Sequence, residues 1–133
     1  MSKQIKTPQA RGTRKERLKV DFDVRMHQVD LVNALRAYVE RRLRFKLGRH
    51  AGHVRTLKCR LTEQDSITGS GAKLCLLAAK LVPSGEVIVV ETNRDLYTAV
   101  SHAIERFKTA LQRKIERERS RRRSRESLRH AIS

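Results

Sequence analysis

From Tyr97 to Ile115 the residues Tyr97, Val100, Ile104, Phe107, Leu111 and Ile115 follow one another at steps of 3, 4, 3, 4 and 4. That is the period of an amphipathic α-helix, so the C-terminal half must contain a long helix with one face built for burial. A helix with a single apolar stripe needs a second layer to cover it. Asn93 or Asp95 is placed to open this helix. After Ile115 the stripe stops and ERERSRRRSRES begins, which predicts either a solvated helical extension or a segment ordered only by an anion.

The second layer is legible upstream. Val20, Phe22, Val24 and Met26 alternate with Lys19, Asp21, Asp23 and Arg25, the pattern of a half-buried strand. Asp30 can cap a helix over about 30–47, in which Leu31, Leu35, Tyr38 and Val39 recur at helical spacing. Arg36, Glu40 and Arg44 add i,i+4 pairs, and Gly48 is the natural stop. Arg42 falls inside the apolar stripe, so it must snorkel off the helix or the helix must end early. Leu57, Cys59 and Leu61 mark a second strand, Lys73–Val82 a third and Glu86–Thr92 a fourth. A polar loop, Glu63–Gly71, separates the second from the third, and the turn Pro83-Ser84-Gly85 makes the last two a hairpin. Val87–Val90 is apolar on both faces, which a sheet covered on one side does not require.

The expected fold is therefore α+β: a single β-α-β-β-β-α domain, a four-stranded sheet with two helices packed on one face, like a double-stranded-RNA-binding domain. A right-handed crossover through the first helix makes the first two strands parallel.

Charge narrows the function. The 133 residues hold 31 Lys and Arg against 14 Asp and Glu, a net +17, which points to a polyanionic partner. Residues 1–17 carry six basic residues and one Glu, and 112–133 carry nine against three. The chain reads as a disordered basic arm at 1–17, a domain at 18–117 and an Arg/Ser-rich tail at 118–133. Cys59 and Cys75 lie in apolar stretches without zinc spacing, so both are expected in the core. No apolar run is long enough to span a membrane and no signal-peptide core is present, which makes the cytoplasm the expected compartment.

Catalytic chemistry has little to stand on. Gly69-Ser70-Gly71-Ala72-Lys73 lacks GxxxxGK[ST] and runs into a strand, so no helix N-terminus is there to receive a phosphate. His50 and His53 form HxxH, but Cys59, Glu63 and Asp65 do not converge on them as metal ligands by spacing. His27, His102 and His130 are scattered, and no two placed acid–base groups support a ribonuclease. No catalytic residue, metal, cofactor or small-molecule substrate is expected.

The basic residues are better organised. At about 100° per residue, His102, Arg106, Arg113 and Arg117 fall near one line opposite the apolar stripe, with Lys108 and Lys114 at its borders. In the first helix the cluster is terminal: Arg41, Arg42, Arg44, Lys46 and Arg49. Part of that is ordinary complementarity to the helix dipole. Packed side by side, the two helices would form a basic ridge that tracks phosphates rather than reading bases. Phe22, Phe45, Phe107, Tyr38 and Tyr97 mostly fall on expected core faces, which disfavours a sheet that stacks single-stranded bases.

VDLVNALRAYVERRL (29–43), LGRHAGHV (47–54) and VPSGEVIVVETNRDLYTAVSHAIERFKTALQRKIER (82–117) are similar to stretches of one known family. From Val20 to about Arg117 the chain resembles the ribosome hibernation-promoting factors, also called ribosome-associated inhibitor or sigma-54 modulation proteins. The resemblance implies the same β-α-β-β-β-α domain, bound to ribosomal RNA in the decoding cleft of the small ribosomal subunit. There it would block the mRNA and tRNA sites under stress. It implies RNA-contacting roles for Arg41, Arg42, Arg106, Lys108, Arg113, Lys114 and Arg117, and more weakly for Arg36. With the terminal cluster of the first helix, Arg44, Lys46 and Arg49 complete the candidate set. The turn Pro83-Ser84-Gly85-Glu86 replaces a PGGE-like one, Glu91–Arg94 is less acidic than usual, and one residue is inserted around Phe45–Lys46. Long members add a C-terminal dimerisation domain, so this chain looks like a short form, expected to be a monomer when free. The competing reading is a nonspecific binder of double-stranded RNA or DNA, or an RNA chaperone, using the same ridge.

Overall fold

The computed structural model describes residues 18–25, 30–63 and 71–132. The basic arm expected at 1–17, Met26, His27, the side chains of Asp30 and Leu31, and residues 64–70 of the polar loop lie outside that description. The elements are β1 (Val20–Arg25), α1 (Asp30–Leu47), a 3₁₀ turn (Gly48–His53), β2 (Val54–Glu63), β3 (Lys73–Leu81), β4 (Glu86–Asn93) and α2 (Leu96–Ile132). The sheet order is β1-β2-β3-β4, with β1 and β2 parallel and the other pairs antiparallel. A crossover through α1 returns the chain in the direction it left, and the parallel pairing follows.

Register decides which side chains meet the helices. Phe22 stands beside Cys59, Cys59 opposite Leu77, and Leu77 opposite Val89, so one face carries an unbroken apolar row. Leu35, Val39, Leu43 and Leu47 of α1 and Val100, Ile104, Phe107 and Leu111 of α2 are buried in the same core. Both helices therefore lie on one sheet face, and no charged residue is buried with them among the described residues. Cys59 and Cys75 are free thiols inside this core, and their contact with each other, reinforced by burial, holds the Cys59 thiol above its ordinary range.

The double-sided apolar run Val87–Val90 divides between the two faces. Val87 and Val89 are buried, whereas Ile88 is 62% exposed and stands opposite Ala78 on the open face. Val90, also exposed, stands opposite Leu76 there.

α1 ends where Gly48 adopts φ +53°, a left-handed conformation that a Cβ disfavours. At the start of α2, Asp95 is the cap. Its Oδ2 accepts from the Thr98 N–H at 3.1 Å and the Thr98 hydroxyl at 2.5 Å, while its carbonyl accepts from the Ala99 N–H at 3.0 Å. Asn93 Oδ1 accepts from the Asp95 N–H at 2.9 Å, so both expected cap residues take part. Replacing Asp95 by Ala is expected to lower stability by about 1 kcal/mol. Urea unfolding checks this as a lower midpoint at unchanged slope.

The stripe of α2 starts at Leu96, which is buried, and Tyr97 lies at its exposed border. α2 does not stop where its stripe stops. The helix runs on through Ile132, with residues 119–131 exposed, so the Arg/Ser-rich tail is a helical extension of the domain. At about 1.5 Å per residue, the stretch beyond Arg117 projects roughly 22 Å.

Candidate nucleic-acid interface

The two helices meet along a seam whose polarity changes along its length. At one end the Tyr38 and Tyr97 rings stand edge to face with centroids 4.8 Å apart, and the Tyr38 hydroxyl lies 3.1 Å from the Ser101 hydroxyl. One turn further along α1 comes Arg42, half-buried, with its Nε buried and unpartnered. Its stem occupies the apolar stripe, so α1 continues to Leu47 by snorkelling rather than by ending early. A turn later Lys46 forms an ion pair with Glu105 of α2. Beyond it His50 of the 3₁₀ turn stands 3.5 Å from Gln112.

The Lys46 contact, ahead of opposing desolvation, holds the Glu105 carboxyl below its ordinary range. A lowered carboxylate pKa contributes stability at pH above the unfolded value and loses it as the pH falls through the folded value. Lys46→Ala is expected to return the Glu105 titration toward the ordinary carboxylate range, read by carboxyl-carbon NMR. An unmoved titration would show that the pair does not set it. His50 is held below its usual range, first by burial and then by the positive charges of Arg49, His53, Arg119 and Lys108. The same cations mark this end of the molecule as strongly positive.

The eleven candidate cations divide into three settings. Arg41, Arg44, Arg49, Arg113 and Arg117 are exposed, and Lys108 and Lys114 are half-buried. Arg42 and Lys46 sit in the seam, and Lys46 is neutralised by Glu105. Arg36 and Arg106 point to opposite flanks. The Arg36 guanidinium lies 5.1 Å from the Phe22 ring centroid, over β1. Arg106 reaches β4, where it donates to the Val90 carbonyl at 3.1 Å and to Glu91 Oε2 at 2.5 Å. β4 is an edge strand, and Arg106 occupies part of that edge. The helical layer thus presents a broad basic surface with two of its cations already paired to acids.

One feature escaped the sequence reading. Phe45 is 77% exposed between Arg41 and Arg49, instead of on a core face. At about 100° per residue it falls off the line of Leu35, Val39, Leu43 and Leu47, and that wheel position was the available signal. Of the two outcomes expected for the Arg/Ser-rich tail the structure shows the helical one, and Arg119, Arg121, Arg122 and Arg123 stand exposed around that helix. Among the described residues, no group of three or more His, Cys, Asp or Glu could hold a metal ion, and no helix is long and apolar enough to cross a membrane.

A sequence profile described as sigma 54 modulation protein / S30EA ribosomal protein matches residues 22–122. The chain belongs to this family. Among solved structures, the N-terminal domain of Protein Y from Thermus thermophilus is 25% identical with a TM-score of 0.57, over 72% of this chain and 96% of that one. A ribosomal subunit interface protein from Coxiella burnetii shares the fold at 18% identity and a TM-score of 0.59, over 73% of this chain and 97% of that one. No curated protein sequence matches. For the S30EA family member described here, the match runs from β1 past the end of the apolar stripe and into the helical extension.

Proposed function

We propose that this S30EA family member is a ribosome-associated hibernation factor. In this reading it binds ribosomal RNA in the decoding cleft of the small subunit and blocks the mRNA and tRNA sites under stress. The observation that carries the reading is the outward basic surface of the helical layer, at Arg41, Lys108, Arg113 and Arg117, in a chain of this family. Exposed guanidiniums on a rigid helix suit bidentate contact with the phosphates of a structured RNA backbone. Phe45 offers one exposed ring among these cations, a place for a single unpaired base to stack. The protein acts without cofactor or catalysis, as a cytoplasmic monomer.

The salt dependence of binding to isolated small subunits tests this. Six to ten phosphate contacts predict that affinity falls by roughly 10³–10⁵ between 50 and 200 mM salt. A fall of less than about tenfold would mean that phosphates do not carry the complex. The exposed Arg-rich extension favours a second reading, a nonspecific binder of duplex RNA or DNA, which predicts similar affinity for any duplex of equal length.

A further inference from the structure

Where α2 leaves the core at Ile115, it overhangs the hairpin between β3 and β4, and a cleft of about 490 Å³ opens beneath it. That is the size of a small-molecule site. One wall is the turn Val82–Gly85 together with Gly52 and His53. This wall is held in place: the Val82 N–H donates to the His53 carbonyl at 2.8 Å, and the Leu81 N–H to the Gly85 carbonyl at 2.9 Å. The other wall is helical and carries Lys114, Arg117, Arg119, Arg121 and Arg122.

Glu118 is the one carboxylate in this lining. It stands 3.7 Å from Arg121, 3.8 Å from Arg122 and 3.9 Å from Arg125, so three guanidiniums share it without a close hydrogen bond. Pairs of that length on an exposed helix are weak and easily exchanged. The cleft therefore keeps a large positive excess between two walls, one of them rigid. A strand of RNA threading it would bring one charge per nucleotide. A phosphoanhydride chain concentrates several charges within the same few ångströms and presents paired oxygens to the forked guanidiniums.

We propose that this cleft binds a diphosphate or triphosphate chain, either of a free nucleotide or at the 5′ end of an RNA. The proposal rests on the cleft, whose helical wall shares Lys114 and Arg117 with the candidate RNA-binding surface. The test titrates the full chain by calorimetry at about 0.15 M salt. The probes are inorganic tripolyphosphate, ATP, a short single-stranded RNA with a 5′-triphosphate, and the same RNA dephosphorylated. Tripolyphosphate is expected to bind at one per chain. Arg121→Ala with Arg122→Ala should weaken it by about tenfold or more, since each removes a charge-assisted contact. Arg123→Ala with Arg129→Ala removes the same charge from the same helix but from outside the cleft, and should change it by less than about threefold. Ser84→Glu places a negative charge on the opposite wall without removing a cation, and should weaken binding as the first pair does.

Binding of ATP with no gain from the RNA 5′-triphosphate identifies a nucleotide site, and the reverse identifies an RNA end. Equal loss from both arginine pairs, an unaffected Ser84→Glu variant, or no binding of tripolyphosphate would each overturn the proposal. Binding of small subunits by the Arg121→Ala, Arg122→Ala variant reports separately on the ribosomal reading.

Discussion

Reversing Lys108, Arg113 and Arg117 together to Glu is expected to abolish binding to the small subunit while leaving the domain folded. None of the three contributes to the core, so thermal unfolding should move by only a few degrees. Each reversal removes an attraction to phosphate and adds a repulsion, and three together should weaken binding by roughly a thousandfold or more. Sedimentation of the variant with subunits checks the binding, and circular dichroism checks the fold. Retained affinity would remove the helical layer from the interface. Arg106 is left out on structural grounds. Its guanidinium holds Glu91 and the Val90 carbonyl, so Arg106→Glu would set two carboxylates together at the β4 edge and confuse lost folding with lost binding.

The largest effect on stability is expected at Phe107. Among the described residues it is the largest fully buried side chain, at the centre of the α2 stripe and beneath the sheet. Phe107→Ala should cost about 3–5 kcal/mol, from lost apolar burial and from the cavity left in a close-packed interior. Single domains are stable by only about 5–15 kcal/mol, so this variant should be partly unfolded near 37 °C. Phe107→Leu keeps most of the volume and should cost far less. Urea denaturation measures both. A loss below about 1.5 kcal/mol for the Ala variant would mean that α2 does not pack as described.

These expectations draw on different levels of the sequence. The α2 stripe and the two strands around the Pro83–Gly85 turn were legible because hydrophobic period is local and each element is long. The parallel pairing of β1 with β2 followed from a single helical crossover between them. Arg42 was recognisable as a misfit, and the structure accommodates it with a buried stem. Phe45 and Tyr97 went astray because apolar type was read as burial, although Phe45 is off the α1 stripe and Leu96, not Tyr97, starts the α2 stripe. The pairing of Arg106 with Glu91 and of Lys46 with Glu105 was out of reach. Each depends on how far a helix slides along its neighbour, which no single-residue pattern encodes. The cleft under α2 was equally hidden, since it needs the helix to continue past its apolar stripe and overhang a turn some thirty residues earlier.

The central claim is that the protein occupies the decoding cleft, and competition tests it most directly. Purified protein is sedimented with small subunits at about physiological salt, in excess tRNA and duplex RNA, with and without mRNA and initiator tRNA in the cleft. The account predicts one protein per subunit, resistant to bulk RNA and displaced when the cleft is filled. Binding stripped by bulk RNA, or many copies per subunit unaffected by mRNA and initiator tRNA, would contradict it.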